Sequence, residues 1–315
     1  MILAADIGGT KCHLALADLQ GRLKCDRRYP SADFDGIEPL LRTFLDHCGQ
    51  TAEGVEILVL ALPAPIEGEC IGLTNLPWKP CRSALQEQFP HSRIELVNDF
   101  QAAALGAVTL GPDRLMTLND RPADPKGRKL ALGAGTGMGV AYLQPAHGGH
   151  HPWPTEAGHL SFAPEEALEW RLAEYLRERH GRASWERVLS GPGLADLYRF
   201  LAPEAPPLAP PAVIDAANAN RDEQAVAALR LFVRLYGRFC GDLALAWLPR
   251  GGLYLLGGVT LHITGWLQQP AFLAAYGAKG RMSELVNRFP IHIVLEPRAG
   301  LLGAIQFAIQ TQVRP

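Results

Sequence analysis

The hydrophobic pattern of the first third of the chain switches between the periods of strands and helices. Apolar runs on both sides of a glycine pair predict antiparallel strands within residues 1–30. Apolar residues at three- and four-residue steps predict a helix over residues 36–48. Short apolar runs predict strands over residues 55–62 and 94–97. A helix is expected after the second of these strands, and a short hairpin is expected over residues 66–71. This order of elements predicts one α/β lobe.

The remainder of the chain predicts a second α/β lobe, joined by glycine- and proline-rich segments. A long buried helix is expected over residues 222–248, and Gly237 and Gly241 within it imply close packing by another element. Loops are expected over residues 148–159 and over the proline-rich residues 202–213. The other predicted strands are 115–118, 130–132, 140–143, 253–256 and 291–295, and the other predicted helices are 164–178, 194–201 and 299–309.

The composition is that of an ordinary globular protein. The 315 residues are 48% hydrophobic, which is enough for two lobes with separate cores. The net charge of −2 gives no sign of nucleic acid or an anionic membrane as a partner. No apolar run is long enough to cross a bilayer and no signal peptide precedes the first strand, so a cytoplasmic location is expected. The six cysteines show no C-x-x-C spacing, so reduced thiols are expected. They are Cys12, Cys25, Cys48, Cys70, Cys81 and Cys240.

Two glycine turns, each between two strands and each containing a threonine, are candidates for phosphate binding. The first is Gly8-Gly9-Thr10 and the second is Gly135-Thr136-Gly137. Without a Cβ atom, glycine lets backbone N–H groups approach a phosphate closely. A third pair, Gly257-Gly258, follows a buried strand. A nucleoside triphosphate is the expected ligand, whereas each turn taken alone is also ordinary β-turn chemistry. Neither a P-loop nor a Rossmann fingerprint is present.

Asp6 and Asp99 are candidate acidic residues of a phosphoryl-transfer site. Asp6 follows the first apolar run and is suited to hold a Mg²⁺ ion through its water shell. Asp99 follows Asn98 at the end of a predicted strand. There a carboxylate can accept the proton of a reacting hydroxyl while the neutral amide orients the substrate. The alternative for Asp99 is a helix cap.

Polar loop residues indicate a site for a sugar. Glu156, His159 and Glu186 stand in otherwise apolar, glycine-bearing loops, and carboxylate and imidazole groups bind vicinal hydroxyls. The alternative for each is a solvated loop residue. A metal site formed by neighbouring histidines is disfavoured, because neither the spacing of zinc ligands nor a cysteine partner is present. These histidines are His147, His150 and His151.

In the same order along the chain, six segments resemble those of bacterial ATP-dependent glucokinases. They are Asp6–Thr10, Leu96–Asp99, Gly133–Gly139, Glu156–His159, Glu186–Gly193 and Leu255–Gly258. The similarity covers nearly the whole chain. It implies the two-lobed actin-like ATPase (ribonuclease H-like) fold, an α/β fold with a mixed sheet in each lobe and a central cleft. In this fold we expect a small lobe of residues 1–109 with 298–315 and a large lobe of residues 110–297.

The resemblance also implies a reaction and roles for individual residues. ATP and glucose are the expected substrates, Mg²⁺ is the expected cofactor, and a homodimer is the expected assembly. Asp99 is placed as the base that acts on the sugar 6-hydroxyl, and Asp6 is placed at the position associated with Mg²⁺. The two glycine turns are the phosphate loops. The expected sugar contacts are Asn75, Asn98, Asp99, Glu156, His159 and Glu186.

The chain departs from the family pattern at two places, and some alternatives stay open. Lys11, Cys12 and His13 stand where the family often has asparagine followed by an arginine, and Ala157 stands where glycine is usual. These departures bear on phosphate affinity and sugar preference rather than on the reaction. The alternative functions are a non-catalytic sugar sensor and a kinase for fructose, N-acetylmannosamine or a carboxylic acid. ADP or polyphosphate could replace ATP as the donor.

Overall fold

The computed structural model describes residues 1–146 and 149–312. Their contacts group them into two compact units. The first unit holds the described residues of Met1–Leu110, Ala146–Pro154 and Arg298–Pro315, and the second holds Gly111–Pro145 and Thr155–Pro297. The lobe boundaries expected from the sequence stay a prediction. No helix in the described part of the chain is long and apolar enough to cross a membrane.

The first unit is built on a mixed sheet. Its strands are β1 (Ile2–Ile7), β2 (Lys11–Ala17), β3 (Leu23–Pro30), β4 (Ile57–Leu62) and β5 (Arg93–Asn98), and its helices are α1 (Ile37–His47), α2 (Arg82–Gln88), α3 (Asp99–Thr109) and α12 (Ala299–Gln312). The order across the sheet is β3–β2–β1–β4–β5. The pairs β3–β2 and β2–β1 are antiparallel, whereas β1, β4 and β5 run parallel. The carboxyl ends of three parallel strands therefore meet at one edge, where Gly8, Pro63 and Asp99 follow them.

Helix α12 packs against α3 through glycines. A Cβ atom on Gly106 of α3 would lie 1.9 Å from the carbonyl oxygen of Ala299, and a Cβ atom on Gly303 of α12 would lie 1.7 Å from the carbonyl oxygen of Ala102. No side chain fits at either distance, so the two helix backbones touch directly. The last helix of the chain is thereby fixed to the helix that begins at Asp99.

The second unit is built on a second mixed sheet. In the order in which they neighbour one another, its strands are β6 (Leu115–Thr117), β11 (Ile291–Val294), β10 (Leu253–Leu256), β7 (Lys129–Ala134) and β8 (Met138–Ala146). Its helices are α4 (Ala167–His180), α5 (Gly191–Leu201), α6 (Pro210–Asn218), α7 (Glu223–Trp247), α8 (Gly258–His262), α9 (Thr264–Leu267), α10 (Pro270–Gly277) and α11 (Ser283–Val286). Strand β10 runs parallel to β7. Gly135 and Gly257 therefore follow neighbouring strand ends at one edge of this sheet.

Helix α7 is the long buried helix predicted from the sequence, and its two internal glycines have the expected partner. A Cβ atom on Gly237 would lie 2.3 Å from the carbonyl oxygen of Phe272, and one on Gly241 would lie 2.3 Å from that of Tyr276. Both carbonyls belong to α10. The glycines let α10 approach the backbone of α7, which confirms the inference of close packing.

Several local predictions were wrong. Residues 149–155 form a strand, β9 (Gly149–Thr155), where a loop was expected, and the carbonyl of Pro152 accepts a hydrogen bond from the Gln101 side chain at 2.9 Å. Pro210 and Pro211 begin α6, inside the expected loop. Proline is tolerated there because the first N–H groups of a helix have no intrahelical partner. The hairpin expected over residues 66–71 instead spans residues 70–81. Helix α2 and the short helices α8 to α11 were not expected at all.

The expectation of reduced thiols was wrong for four of the six cysteines. Cys25 forms a disulfide with Cys48, and Cys70 forms a disulfide with Cys81. Both pairs join segments that only the fold brings together, one between β3 and the end of α1 and one across the base of a hairpin. Cys12 and Cys240 are free and buried.

Candidate active site

The turn Gly8-Gly9-Thr10 lies at the carboxyl end of β1 and is tightly packed. The N–H of Gly8 donates to the carbonyl of Lys11 at 3.1 Å. A Cβ atom on Gly8 would lie 2.7 Å from the Lys11 carbonyl oxygen, and one on Gly9 would lie 2.9 Å from the Cβ atom of Asn75. Both positions therefore require glycine. The turn remains exposed at Gly9 and Thr10, so its backbone is accessible to a ligand.

Asp6 is partly buried next to this turn and has an unusual ionisation. Burial, and to a smaller extent the negative charge of Asp99, together raise the pKa of its carboxyl group to about 7. A Cβ atom on Gly300, at the start of α12, would lie 2.3 Å from Oδ2 of Asp6, so glycine leaves room for the carboxylate. Two carboxylates that repel each other in this way are an arrangement that a divalent cation would stabilise.

Asn98 and Asp99 lie where β5 meets α3. Oδ1 of Asn98 accepts a hydrogen bond from the N–H of Gln101 at 3.1 Å, and its Nδ2 donates to the carbonyl of Ala64 at 3.3 Å. Asn98 is therefore the residue that caps α3, and the cap alternative for Asp99 does not apply. Oδ1 of Asp99 accepts from the N–H of Phe100 at 2.7 Å, which orients this partly buried carboxylate on the first turn of the helix.

Asn75 lies at the tip of the hairpin that the Cys70–Cys81 disulfide closes. The tip is fixed to the end of β4, because the N–H and the hydroxyl of Thr74 both donate to the carbonyl of Pro63, at 3.2 and 2.7 Å. This attachment holds Asn75 against Gly9. The first unit thus brings together four of the sequence-predicted site residues at one sheet edge, namely Asp6, Gly9, Asn75 and Asp99.

The predicted sugar-binding residues of the second unit also lie together. Nε2 of His159 is 3.7 Å from Oε2 of Glu156, and Nδ1 of His159 is 3.9 Å from Oε1 of Glu186. The imidazole therefore lies between two carboxylates. Glu156 and His159 are exposed and Glu186 is partly buried, so the cluster presents several carboxylate acceptors and one imidazole ring to solvent. Such a set of groups can bind neighbouring hydroxyls.

Glu186 also contacts the second glycine turn. Its Oε2 accepts a hydrogen bond from the N–H of Met138 at 3.0 Å, and a Cβ atom on Gly137 would lie 2.6 Å from the same oxygen. The N–H of Glu186 donates to the carbonyl of Gly158 at 2.8 Å. The loop of His159 and the turn of Thr136 are therefore joined through one residue.

A cavity of about 580 Å³ in the second unit opens beside this turn. Its walls are mostly apolar or glycine, and Thr136, Asp215 and His262 provide its polar side chains. Gly257 is at φ +96°, and a Cβ atom there would lie 2.3 Å from the Ala134 carbonyl oxygen, so only glycine suits this corner. Gly135, Thr136 and Gly258 of its wall were predicted from the sequence as donor-binding residues, whereas the prolines, Ile214, Asp215 and His262 were missed. The residues that line the cavity include Thr136, Pro210, Pro211, Ile214, Asp215 and Gly258.

The histidines of the alternative metal site are only partly described. His147 lies outside the described residues, and His150 and His151 lie in β9. In the described ranges, no group of three or more histidine, cysteine, aspartate and glutamate side chains is arranged to hold a metal ion. A Mg²⁺ ion held by one or two carboxylates and the substrate's own phosphates does not need such a group.

The fold and the two clusters define a class of protein. Two mixed α/β sheets, each ending in an exposed glycine turn, with an aspartate at a strand end and a carboxylate–imidazole cluster, are those of a sugar kinase with the actin-like ATPase fold. The family model of glucokinase matches residues 3–311. The chain belongs to the glucokinase family, and the family and fold class predicted from the sequence are confirmed.

Individual relatives match along their whole length. The glucokinase of Chromohalobacter salexigens is 37% identical over 311 residues, covering 96% of this chain and 96% of that protein. The glucokinase of Synechocystis sp. is 34% identical over 348 residues, covering 98% of both. The crystal structure of a glucokinase from an Antarctic psychrotroph superimposes with a TM-score of 0.86 at 31% identity and covers 98% of each chain.

Proposed function

We propose that this protein transfers the γ-phosphoryl group of ATP to the 6-hydroxyl of glucose, giving glucose 6-phosphate and ADP. Membership of the glucokinase family supports the reaction. The observation that carries the mechanism is the position of Asp99, which follows a parallel strand and raises the pKa of Asp6 beside the first glycine turn. Asp99 is the base. Because a sugar hydroxyl is a weak acid, Asp99 mainly orients it and takes its proton late in the transfer.

The acceptor is bound by hydrogen bonds to its ring hydroxyls. In the second unit, Glu156, His159 and Glu186 are the contacts, and their mutual distances of 3.7 and 3.9 Å support one shared ligand. In the first unit, Asn75 and Asn98 are the contacts. A site built from such groups rejects an analogue that lacks one hydroxyl by about 10⁴-fold or more, because the polar group is then left unpaired.

The donor is bound by the exposed glycine turns and by the cavity beside Thr136. Backbone N–H groups of Gly8–Thr10 and Gly135–Gly137 bind the phosphates, with Gly257 and Gly258 beside them. The apolar cavity walls at Pro210, Pro211 and Ile214 suit a purine base, and the Asp215 carboxylate suits a ribose hydroxyl. This apolar space favours a nucleotide over polyphosphate, which has no apolar part.

The residues present fit a Mg²⁺ ion. Asp6 has a raised pKa because it is buried near a second carboxylate, and a bound divalent cation would favour its ionised form. Asp6 would hold the ion, directly or through water, together with the donor phosphates. The ion would neutralise charge on the phosphates during transfer.

A donor and acceptor panel tests the proposal. Formation of the sugar phosphate is followed with ATP and glucose, fructose, mannose, 2-deoxyglucose or N-acetylmannosamine, with and without Mg²⁺. The same product is then measured with ADP or polyphosphate in place of ATP, because neither of these donors releases ADP. The proposal expects turnover with ATP, Mg²⁺ and glucose, and weaker turnover with each replacement. Glucose binding without turnover would indicate a sugar sensor, and faster turnover on another acceptor would indicate a different sugar kinase.

We further propose a cytoplasmic homodimer. The support for both is the resemblance to bacterial glucokinases. Sedimentation at several protein concentrations and fractionation of the source cells test the two statements separately.

A further inference from the structure

Ser31 is buried beneath the first glycine turn, although it follows the turn by about twenty residues. It comes directly after β3 and is 1% exposed. Its backbone N–H donates to the carbonyl of Thr10 at 3.0 Å, and its hydroxyl donates to the carbonyl of Gly8 at 2.7 Å. One residue therefore binds two carbonyl groups of the same turn.

These two hydrogen bonds determine where the N–H groups of the turn point. In a trans peptide the C=O and the N–H point in opposite directions, and the described residues contain no cis peptide. Because the oxygen of Gly8 points towards Ser31, the N–H of Gly9 points away from it. In the same way, the oxygen of Thr10 is bound to Ser31 and the N–H of Lys11 points away. Gly9 is exposed, so its N–H is available to a ligand.

A buried thiol completes the arrangement. Sγ of Cys12 lies 3.3 Å from Oγ of Ser31. The hydroxyl has one proton, which it donates to Gly8, and the thiol contacts both this hydroxyl and, at 4.0 Å, the same Gly8 carbonyl. Cys12 is fully buried, and the three groups form a short chain from Cys12 through Ser31 to Gly8. Removing the hydroxyl would leave the Gly8 carbonyl without this partner in a dry environment, which is unfavourable.

We propose that Ser31 is a positioning residue for the donor phosphates. By binding the carbonyls of Gly8 and Thr10, it holds the turn in its phosphate-binding orientation before the donor arrives. Donors that are already oriented need no reorganisation when charge develops. This inference rests on the proposed function, because it assumes that the turn binds phosphate.

The variant Ser31→Ala removes only the hydroxyl of Ser31, because the backbone N–H that donates to Thr10 remains. Affinities for ATP, adenosine and glucose are measured by calorimetry. We expect ATP to bind about threefold to tenfold more weakly, which is the range of one net hydrogen bond. Adenosine and glucose should bind within about twofold of wild type, since neither carries the phosphates. Ser31→Thr keeps a hydroxyl and should restore ATP affinity. Ser92→Ala removes another buried hydroxyl, which donates to the Val55 carbonyl at 2.6 Å, and is the matched control, with ATP affinity unchanged.

If Ser31→Ala binds ATP as wild type does, or weakens ATP and adenosine equally, Ser31 has no positioning role. If that variant does not fold, Ser31→Cys, whose thiol is a weaker donor, takes its place with the same expected direction. If the wild-type protein itself binds ATP no better than adenosine, the phosphate role of the turn is wrong, and this inference fails together with it. Turnover of the wild-type protein on ATP and glucose tests the proposed function separately, so a failure of the Ser31 inference alone can be told from a failure of the proposed function.

Discussion

The carboxylate of Glu186 accepts a hydrogen bond from the backbone N–H of Met138 at 3.0 Å. Its other oxygen lies 3.9 Å from the imidazole of His159. One side chain thus contacts both the proposed sugar cluster and the second glycine turn. A movement of this carboxylate when sugar binds would also change its hydrogen bond to the second glycine turn. We therefore expect the binding of sugar and the binding of nucleotide to be coupled through Glu186.

The coupling is tested by comparing two substitutions at Glu186. Glu186→Ala removes both contacts, so KM should rise about threefold to tenfold or more for glucose and for ATP alike. Glu186→Gln keeps an oxygen that can accept from Met138, so KM for ATP should stay near the wild-type value. Glu156→Ala is the matched control and should affect glucose alone. An effect of Glu186→Ala on glucose only would refute the coupling.

Asp6 should make the stability of the free protein depend on pH. Its folded pKa is raised from 3.8 to about 7, so the folded state favours the protonated carboxyl. The stabilisation that the raised pKa of Asp6 gives to the folded state is fully present below pH 4 and is lost as the pH rises through 7. Asp6→Asn has no charge to bury and should be more stable than wild type at pH 8, by roughly 2–4 kcal/mol, with little difference at pH 4.

Chemical denaturation at pH 4, 6 and 8 without Mg²⁺ or nucleotide measures this difference. Asp35→Asn, at an exposed position, controls for the change in net charge. The raised pKa of Asp6 would be contradicted if Asp6→Asn and wild type differed in stability by the same amount at all three pH values. Turnover of Asp6→Asn should also be lost, if Asp6 holds Mg²⁺.

The contact of α3 with α12 should not tolerate a side chain. Gly303→Ala places a Cβ atom where the Ala102 carbonyl lies, so the helices must separate. Such overpacking costs about 1–3 kcal/mol, and more where backbone is displaced. Gly265→Ala, in a helix with open space around the new Cβ atom, should cause no loss. Urea denaturation of both variants measures the difference, and equal stability would show that α12 does not pack as described.

The two disulfides predict a thiol count. Unfolded protein that has not been reduced should react at two thiols, Cys12 and Cys240, and reduced protein should react at six. Reduction should lower the free energy of unfolding by about 2–4 kcal/mol for each bond lost. Six reactive thiols without a reductant, in protein purified under air, would show that the pairs do not form.

Much of the fold could be predicted because its signals are local. Apolar spacing predicts α1 and α7, and two closely spaced glycines after an apolar run predict each exposed turn. The residues Asn98 and Asp99 could be found because they directly follow a recognisable strand. Which of the two residues caps the helix could not be decided from the sequence, since both residue types cap helices.

What the sequence could not show depends on distant contacts. Ser31 has no periodicity or motif around it, and only the fold places it under Gly8. Pro210 and Pro211 suggest a loop by composition, yet they begin a helix and form a cavity wall. The cysteine pairs have no characteristic spacing, because each bond joins elements that the sheet and the hairpin bring together.

The most direct test of the account is the turnover of Asp99→Asn with ATP, Mg²⁺ and glucose. The amide keeps the size of the side chain and cannot accept a proton. We predict that kcat falls by about 10²–10⁴-fold, as is typical for the loss of a general base, while glucose binds within about threefold of wild type. Formation of glucose 6-phosphate at a rate within a few-fold of wild type would contradict the role of Asp99 as the base.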